Sequence, residues 1–180
     1  MRITGGILKG RRVEVPEGII RPSMDRMRES VFAALGDLSG ASFLDLFSGT
    51  GIIALEAASR GASYVEAVEM DRVKRATLLK NVSISPIRVN CRFMAAELYI
   101  RRARRGFDFV FCDPPFPYRY KRDLVRDIAG SSLAKDGALI LLHRPREDFF
   151  ETDIPFIQKE RAKEYGRSVV EFLRIHKILV

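Results

Sequence analysis

Two patterns of apolar and polar residues follow one another repeatedly along this chain. Short apolar runs typical of buried strands are each followed by a segment in which apolar residues recur at helical spacing. The predicted strands are residues 42–47, 63–69, 88–94, 107–112 and 138–143. The predicted helices are residues 51–60, 71–82, 95–104 and 120–129. Strands that alternate with helices predict a parallel sheet with helices on both faces.

The two ends of the chain follow other patterns. Residues 1–15 contain glycines and an alternating stretch, which predict a small β-arm, and a helix capped by Ser23 follows. Near the other end, residues 156–164 and 168–179 predict two long strands joined by a tight turn. We expect one domain over residues 1–180, with an N-terminal β-arm at 1–20 and a Rossmann-like core at 40–180.

Composition narrows the class of protein. A chain of 180 residues is long enough for one domain with a sizeable core. It has no apolar run near the ~20 residues that span a membrane, and its basic N-terminus lacks the apolar region of a secretory signal. Cys91 and Cys112 both fall in predicted strands, so we expect reduced core thiols in a cytoplasmic protein.

The net charge of +8 favours an anionic partner, and nucleic acid is the commonest. The charge is unevenly distributed, because residues 88–126 carry ten Lys or Arg against four Asp or Glu. Basic segments therefore flank the motifs that carry the candidate chemistry.

The first motif is a glycine loop, DLFSGTG at residues 45–51, which leaves the first strand of the sheet. A tight turn or a dinucleotide-binding loop would also use Gly49 and Gly51. Asp45 at the strand end favours a ligand with cations and hydroxyls over one with phosphates. S-adenosylmethionine (AdoMet) fits this description, because it has an ammonium, a sulfonium and no phosphate.

Glu69 ends the next predicted strand, eighteen residues after Gly51. A carboxylate at about this spacing accepts hydrogen bonds from ribose hydroxyls, although a solvated strand-end charge would look the same. Paired with the glycine loop, Glu69 indicates a nucleoside-bearing cofactor.

The fourth predicted strand ends in Asp113-Pro114-Pro115-Phe116. Two prolines make a rigid turn, but this strand end is also where a substrate would meet the cofactor. Asp113 and the Pro114 carbonyl would accept hydrogen bonds from an exocyclic amine, and Phe116 would stack on its base. An amine conjugated to a ring is a poor nucleophile, and two acceptors stabilise the positive charge that develops on it during methyl transfer.

Metal chemistry has no comparable support. His143 and His176 have no partner at metal-ligand spacing, and we interpret both as structural. We expect no metal site.

The motifs together resemble the bacterial 16S ribosomal RNA guanine-N2 methyltransferases, over nearly the whole chain. The matching segments are MRITGG (1–6), KGRR (9–12), RPSMDRMRE (21–29), LDLFSGTG (44–51), LEAASRGA (55–62), VEMD (68–71) and DPPF (113–116). The resemblance implies an α/β Rossmann-like AdoMet methyltransferase whose seven-stranded, mostly parallel sheet ends in an antiparallel strand. It also implies methylation of a guanine in 16S ribosomal RNA, with naked RNA or a partly assembled small ribosomal subunit as partner and a monomer favoured.

The resemblance assigns roles to residues. The catalytic set is Asp113, Pro114, Pro115 and Phe116. The cofactor set is Asp45, Phe47, Ser48, Gly49, Gly51, Glu69, Met70, Ala95 and Ala96. The nucleic-acid set is Arg11, Arg12, Arg21, Arg28 and Arg119.

Two positions depart from the family pattern. The Asp or Asn that usually contacts the adenine amine after the third strand is missing from the stretch Met94-Ala-Ala-Glu97, where backbone groups or Glu97 would have to replace it. The fifth strand ends at His143-Arg144, where a carboxylate is commoner.

Three rival functions stay open at this stage. A DNA or protein-glutamine amino-methyltransferase would share the sheet, more often with Asn in place of Asp113. A non-catalytic RNA-binding protein would not need Asp45, Glu69 and Asp113 all intact. A nicotinamide-dependent oxidoreductase fits poorly with DPPF and the final hairpin.

Overall fold

The computed structural model describes residues 1–15 and 23–177; the predicted roles of Arg21 and of the Ser23 side chain lie outside them. The helices are α1 (Ser23–Leu35), α2 (Ile52–Ser59), α3 (Arg75–Val82, preceded by a 3-10 turn at Arg72–Lys74), α4 (Ala96–Arg102) and α5 (Lys121–Gly130). The strands are β1 (Ser42–Leu46), β2 (Tyr64–Val68), β3 (Val89–Arg92), β4 (Phe107–Cys112), β5 (Ala134–Pro145), β6 (Ile157–Tyr165) and β7 (Ser168–Ile175).

The strands form one seven-stranded sheet in the order β3-β2-β1-β4-β5-β7-β6. Strands β1 to β5 pair in parallel, and β7 pairs antiparallel with both β5 and β6. The predicted mostly parallel sheet with an antiparallel last strand is confirmed. The strand order reverses between β1 and β4, so their carboxyl ends flank the crevice where open α/β sheets bind ligands.

Burial follows position in the sheet. All five residues of the central strand β1 are buried, whereas most of the edge strand β6 is exposed. Apolar side chains form two clusters, one that includes α1 and α2 and one that includes α4 and α5. The helices therefore cover both faces of the sheet, as the alternating pattern predicted.

Several local features match or refine the sequence prediction. Asp71 caps the 3-10 turn by accepting a hydrogen bond from the Val73 N–H at 3.0 Å. Cys91 and Cys112 are free thiols. Strand β5 begins at Ala134 and not at residue 138, because Ala134 pairs with Phe107 before a bulge restores the regular register. None of the helices among residues 1–15 and 23–177 is long and apolar enough to cross a membrane.

The N-terminal arm packs against the core of the domain. Its described part, residues 1–15, contains a single antiparallel bridge, between Arg2 and Arg12. Its side chains Ile3, Leu8 and Val13 are buried in the cluster that includes α1 and α2. The arm is therefore part of the core, because it covers the outer side of α2.

Polar groups of α2 hold the arm in place. The Ser59 hydroxyl donates to the Gly5 carbonyl at 2.6 Å and accepts from the Leu8 N–H at 2.9 Å. The Glu56 carboxylate accepts hydrogen bonds from the Thr4 N–H and hydroxyl at 2.6 and 2.8 Å. A Cβ at Gly6 would lie 1.9 Å from the Ser59 carbonyl oxygen, so the arm backbone approaches α2 more closely than any side chain would allow.

Candidate active site

A cleft of ≈830 Å³ lies at the carboxyl ends of the parallel strands. It is lined by Met1, Met24, Phe47, Glu69, Met70, Asp71, Arg72, Lys74, Glu97, Asp113, Pro114, Pro115, Phe116, Pro117, Tyr118 and His143. These residues include three from the predicted cofactor set and all four from the predicted catalytic set. The topology thus brings the motifs after β1, β2 and β4 to one place.

The glycine loop after β1 has an unusual backbone. Phe47 has a φ of 65°, a left-handed conformation that a bulky residue rarely adopts. Its ring lines the cleft and contacts the edge of Tyr118, with centroids 5.6 Å apart. Backbone conformations of this kind persist where surrounding contacts enforce them, commonly at functional sites.

Gly49 and Gly51 both have positive φ, but they face different surroundings. A Cβ at Gly49 would meet nothing within 4 Å, so this position opens to space that a ligand can fill. A Cβ at Gly51 would lie 2.6 Å from Leu78 Cδ1 and 3.0 Å from Val82 Cγ1. Gly51 therefore permits close packing of the loop on α3, and its predicted contact with the cofactor stays a prediction.

Asp45 lies beneath the loop and does not line the cleft. Its Oδ2 accepts hydrogen bonds from the Ser48 hydroxyl at 2.6 Å and the Ala54 N–H at 3.2 Å. Its Oδ1 is buried and has no hydrogen-bond partner among residues 1–15 and 23–177. Burial, reinforced by the nearby charges of Asp113 and Glu69, raises the pKa of Asp45 to about 8. The buried Ser48 thus acts with Asp45 to shape the loop.

Glu69 connects the loop to the end of β2. Its Oε2 accepts a hydrogen bond from the Gly49 N–H at 2.7 Å, and its Oε1 accepts one from the Asp71 N–H at 2.8 Å. Each carboxylate oxygen has a second lone pair, so Glu69 keeps the capacity to accept from ligand hydroxyls. The side chain is fixed in orientation and borders the cleft.

The DPPF turn lines the same cleft. Asp113 is partly exposed, Pro114 is buried and Pro115 is exposed. The ring of Phe116 contacts the edge of the His143 ring, with centroids 5.8 Å apart. Asp113 Oδ1 lies 2.8 Å from His143 Nδ1.

Three residues around this turn were missed by the sequence analysis as site residues. His143, at the end of β5, contacts Asp113 and Phe116. Tyr118 donates a hydrogen bond to Glu97 Oε1 at 2.6 Å. Lys121, the first residue of α5, donates from its buried Nζ to the carbonyls of Phe116 and Tyr118 at 3.1 and 2.5 Å and pairs with Asp148 at 2.7 Å. The only signal for the Lys121 contacts in the sequence was the group of basic residues that follows DPPF.

The remaining predicted cofactor residues are divided. Met70 is exposed and lines the cleft. Ala95 and Ala96, at the start of α4, are not among the lining residues. Glu97, the next residue, does line the cleft, as the departure from the family pattern suggested.

The predicted RNA-binding arginines have three different environments. Arg11, Arg12 and Arg119 are exposed. Arg119 lines a second cavity of ≈550 Å³, which shares Phe116 and Tyr118 with the main cleft. Arg28 is fully buried, donates to Asp25 Oδ1 at 2.6 Å, and lies 3.5 Å from Glu56. The prediction that Arg28 contacts RNA is wrong, because a buried side chain in these ion pairs has no access to a phosphate.

Within the described ranges, no group of three or more His, Cys, Asp or Glu side chains has an arrangement that could hold a metal ion.

Comparison with known proteins identifies the family. The family model described as conserved hypothetical protein 95 matches residues 1–174. Ribosomal RNA small subunit methyltransferase D of Escherichia coli (strain K12) is 33% identical over 156 residues, covering 84% of this chain and 78% of that protein. The chain belongs to the ribosomal RNA small subunit methyltransferase D family. The family resemblance seen in the sequence is therefore confirmed.

Solved structures agree with this family membership. The yhhF protein of Escherichia coli superposes with a TM-score of 0.88 at 30% identity, over 98% of each chain. SMU.776, a structure complexed with SAH, superposes with a TM-score of 0.68 at 16% identity, over 87% of this chain and 50% of that one. The second likeness shows the fold alone. Together they place the seven-stranded sheet among the methyltransferase folds.

Proposed function

We propose that this protein transfers a methyl group from AdoMet to the exocyclic N2 amine of a guanine in 16S ribosomal RNA. The observation that carries the proposal is the position of Asp113, whose carboxylate enters the same cleft as Glu69 and the glycine loop. Membership of the ribosomal RNA small subunit methyltransferase D family supports RNA as the substrate class.

The cofactor is AdoMet, and the cleft has features that fit it. Gly49 opens to unfilled space, and Glu69 presents carboxylate oxygens that suit ribose hydroxyls. Asp45 Oδ1 is a buried acceptor without a partner in the described residues, so the region beneath the glycine loop can still take up a hydrogen-bond donor. AdoMet supplies an electrophilic methyl group when it is bound.

The DPPF turn handles the amine. Asp113 Oδ1 is engaged with His143, which leaves Oδ2 to accept a hydrogen bond from an incoming N2–H. The Pro114 carbonyl is proposed as the second acceptor. Both acceptors matter most as positive charge develops on the nitrogen, so they stabilise the transition state more than the bound substrate.

Phe116 and the loop after it orient the base. The Phe116 ring is the proposed stacking partner for guanine, since aromatic faces bind bases that are out of a helical stack. Lys121 and Asp148 hold the loop from beneath. Because the loop is fixed before substrate binds, correct orientation of the amine contributes directly to the rate.

Exposed cations around the cleft are proposed to bind phosphates. Arg119 lies beside the catalytic turn, and Arg11 and Arg12 lie on the docked arm. Such contacts would position the RNA, while the cleft selects the base. Naked 16S ribosomal RNA and the partly assembled small subunit are both candidate substrates.

The test is methyl transfer from labelled AdoMet to each candidate substrate, followed by digestion and nucleoside analysis. We expect label in N2-methylguanosine of the 16S RNA and none in 23S RNA of the same preparation. Label in N6-methyladenosine, or in DNA and not RNA, would contradict the proposal.

A further inference from the structure

His143 makes the one side-chain hydrogen bond that the structure gives to Asp113. The two residues are 30 positions apart in the chain, but β4 and β5 are neighbouring parallel strands, so their ends lie side by side. His143 Nδ1 lies 2.8 Å from Asp113 Oδ1, and its side chain is only 2% exposed. The contact is therefore sheltered from water.

The surroundings of the ring favour one tautomer. Nε2 of His143 is buried and has no hydrogen-bond partner in the part of the chain that the structure describes. A proton on Nε2 would be a buried donor without an acceptor, which is costly. A proton on Nδ1 is donated directly to the carboxylate of Asp113. The neutral ring with Nδ1–H is the state that satisfies both groups.

The ring also contacts the other end of the catalytic turn. Phe116 meets the edge of the His143 ring, with centroids 5.8 Å apart. One buried side chain on β5 thus contacts both the proposed acceptor and the proposed base-stacking ring.

We propose that His143 is a positioning residue for methyl transfer: its Nδ1–H fixes the rotamer of Asp113 so that Oδ2 faces the substrate amine. The inference rests on the proposed role of Asp113. In this role His143 acts through Asp113 and needs no contact of its own with substrate or cofactor. Losing its hydrogen bond leaves Asp113 free to rotate in a partly exposed site, which lowers the fraction of complexes with an aligned acceptor.

The decisive comparison is between His143→Asn and His143→Gln. The amide nitrogen of Asn lies near the position of Nδ1 and can still donate to Asp113, whereas the longer Gln places its amide near Nε2. Both variants are polar and uncharged, so they differ mainly in reach. His176→Gln is the matched control, because His176 is exposed and distant in sequence from the turn.

We expect His143→Gln to lower kcat about 100-fold, the effect of misplacing a reacting group by ~1 Å. We expect His143→Asn to retain at least about a tenth of the parent kcat. AdoMet affinity, measured calorimetrically, should stay within about twofold in both variants, since the glycine loop and Glu69 follow β1 and β2 and not β5. A folded Gln variant with parent kcat, or an Asn variant as slow as the Gln variant, would overturn the proposal.

A second measurement needs no variant at this position. The protein has only two histidines, so the ring nitrogens resolve in a long-range proton–nitrogen spectrum, with His176→Gln providing the assignment. We expect His143 to show the Nδ1-protonated pattern and to lose it in Asp113→Ala. An Nε2-protonated pattern in the parent protein would overturn the proposal even if the substituted proteins failed to fold.

The two hypotheses fail in different ways. If Asp113→Ala keeps turnover, the proposed function of the turn is wrong. If Asp113→Ala is inactive while His143→Gln is normal, only the positioning role of His143 is wrong.

Discussion

Two buried carboxylates in this molecule have opposite surroundings. Glu56, on α2 beneath the arm, is fully buried and receives hydrogen bonds from Thr4 and Arg60, with Arg28 3.5 Å away. Asp45, beneath the glycine loop, is almost as buried, yet one of its oxygens has no partner in the described residues. At the arm dock, where the N-terminal arm packs on α2, both carboxylate oxygens of Glu56 accept hydrogen bonds, whereas beneath the cofactor loop only one oxygen of Asp45 does.

The difference separates structure from function. A buried charge with a full set of partners stabilises one conformation. Removing one partner destabilises the fold, because the remaining buried charge is then uncompensated. Burial disfavours a carboxylate anion, which is why the pKa of Asp45 is raised although Ser48 and Ala54 donate hydrogen bonds to it. Such incomplete sites are where ligands are expected to bind. The predictions below test each side of this contrast.

The largest effect is expected at the arm dock. Glu56→Ala removes the buried carboxylate that pairs with Arg28 and Arg60, and breaking a buried pair costs about 3–5 kcal/mol. Denaturant unfolding measures the loss. Glu164→Ala is the control, because Glu164 pairs with Arg146 at the surface, where such pairs contribute about 0–1 kcal/mol. Equal losses of unfolding free energy in Glu56→Ala and Glu164→Ala would mean that the arm dock contributes no more than a surface ion pair.

Asp45 should instead make stability depend on pH. Its pKa of about 8 in the folded protein lies above the ordinary value of 3.8, so its contribution to stability is present at low pH and is lost as the pH rises from 3.8 to about 8. The unfolding free energy of the cofactor-free protein should fall by up to about 1.4 kcal/mol per pH unit on this account. Asp45→Asn should remove that slope. Parallel pH curves for parent and variant would contradict the assignment.

The cofactor cradle is the open space beside Gly49 in the glycine loop. Comparing substitutions at Gly49 and Gly40 separates the effect of filling this space from the effect of backbone strain. Both have positive φ and open space around a would-be Cβ, but only Gly49 lies in the loop after β1. Gly49→Val should weaken AdoMet binding at least tenfold, about 1.4 kcal/mol, by occupying the cradle. Gly40→Val should carry similar strain and leave the affinity unchanged. Calorimetric titration would disprove the cradle if the two variants bound AdoMet equally well.

The smallest effect is expected at the arm surface. Arg11 and Arg12 are exposed, so alanine at both positions should remove phosphate contacts without disturbing the buried side chains. The slope of log affinity against log salt should flatten by up to about 1.4–1.8. Filter binding across a salt series measures this, with AdoMet affinity as the internal control. Unchanged slopes would mean that RNA binds elsewhere, for example along residues 101–126.

The order and type of the elements could be predicted because they depend on local periodicity. Each βα unit repeats the same contrast of apolar run and helical spacing, and the predicted strand ends differ from the observed ones by a few residues at most. The strand-end positions of Asp45, Glu69 and Asp113 follow from the same pattern. Their meeting at one cleft follows from the parallel topology.

The rest depends on contacts between distant parts of the chain. Arg28 looks like an exposed cation in the sequence, and only its proximity to Glu56, 28 positions later, reveals a buried pair. The same holds for His143 and Asp113. The role of Gly51 depends on the close approach of α3, which no local pattern encodes.

The central claim is that cofactor binding and amine chemistry depend on different residues of one cleft. The most direct test measures AdoMet affinity and single-turnover methyl transfer to 16S RNA in Asp113→Ala beside the parent protein. We predict that transfer falls by at least about 100-fold, because an acceptor for the developing charge is lost. AdoMet affinity should stay within about twofold. Near-parent transfer, or a loss of AdoMet binding as large as the loss of transfer, would contradict the account.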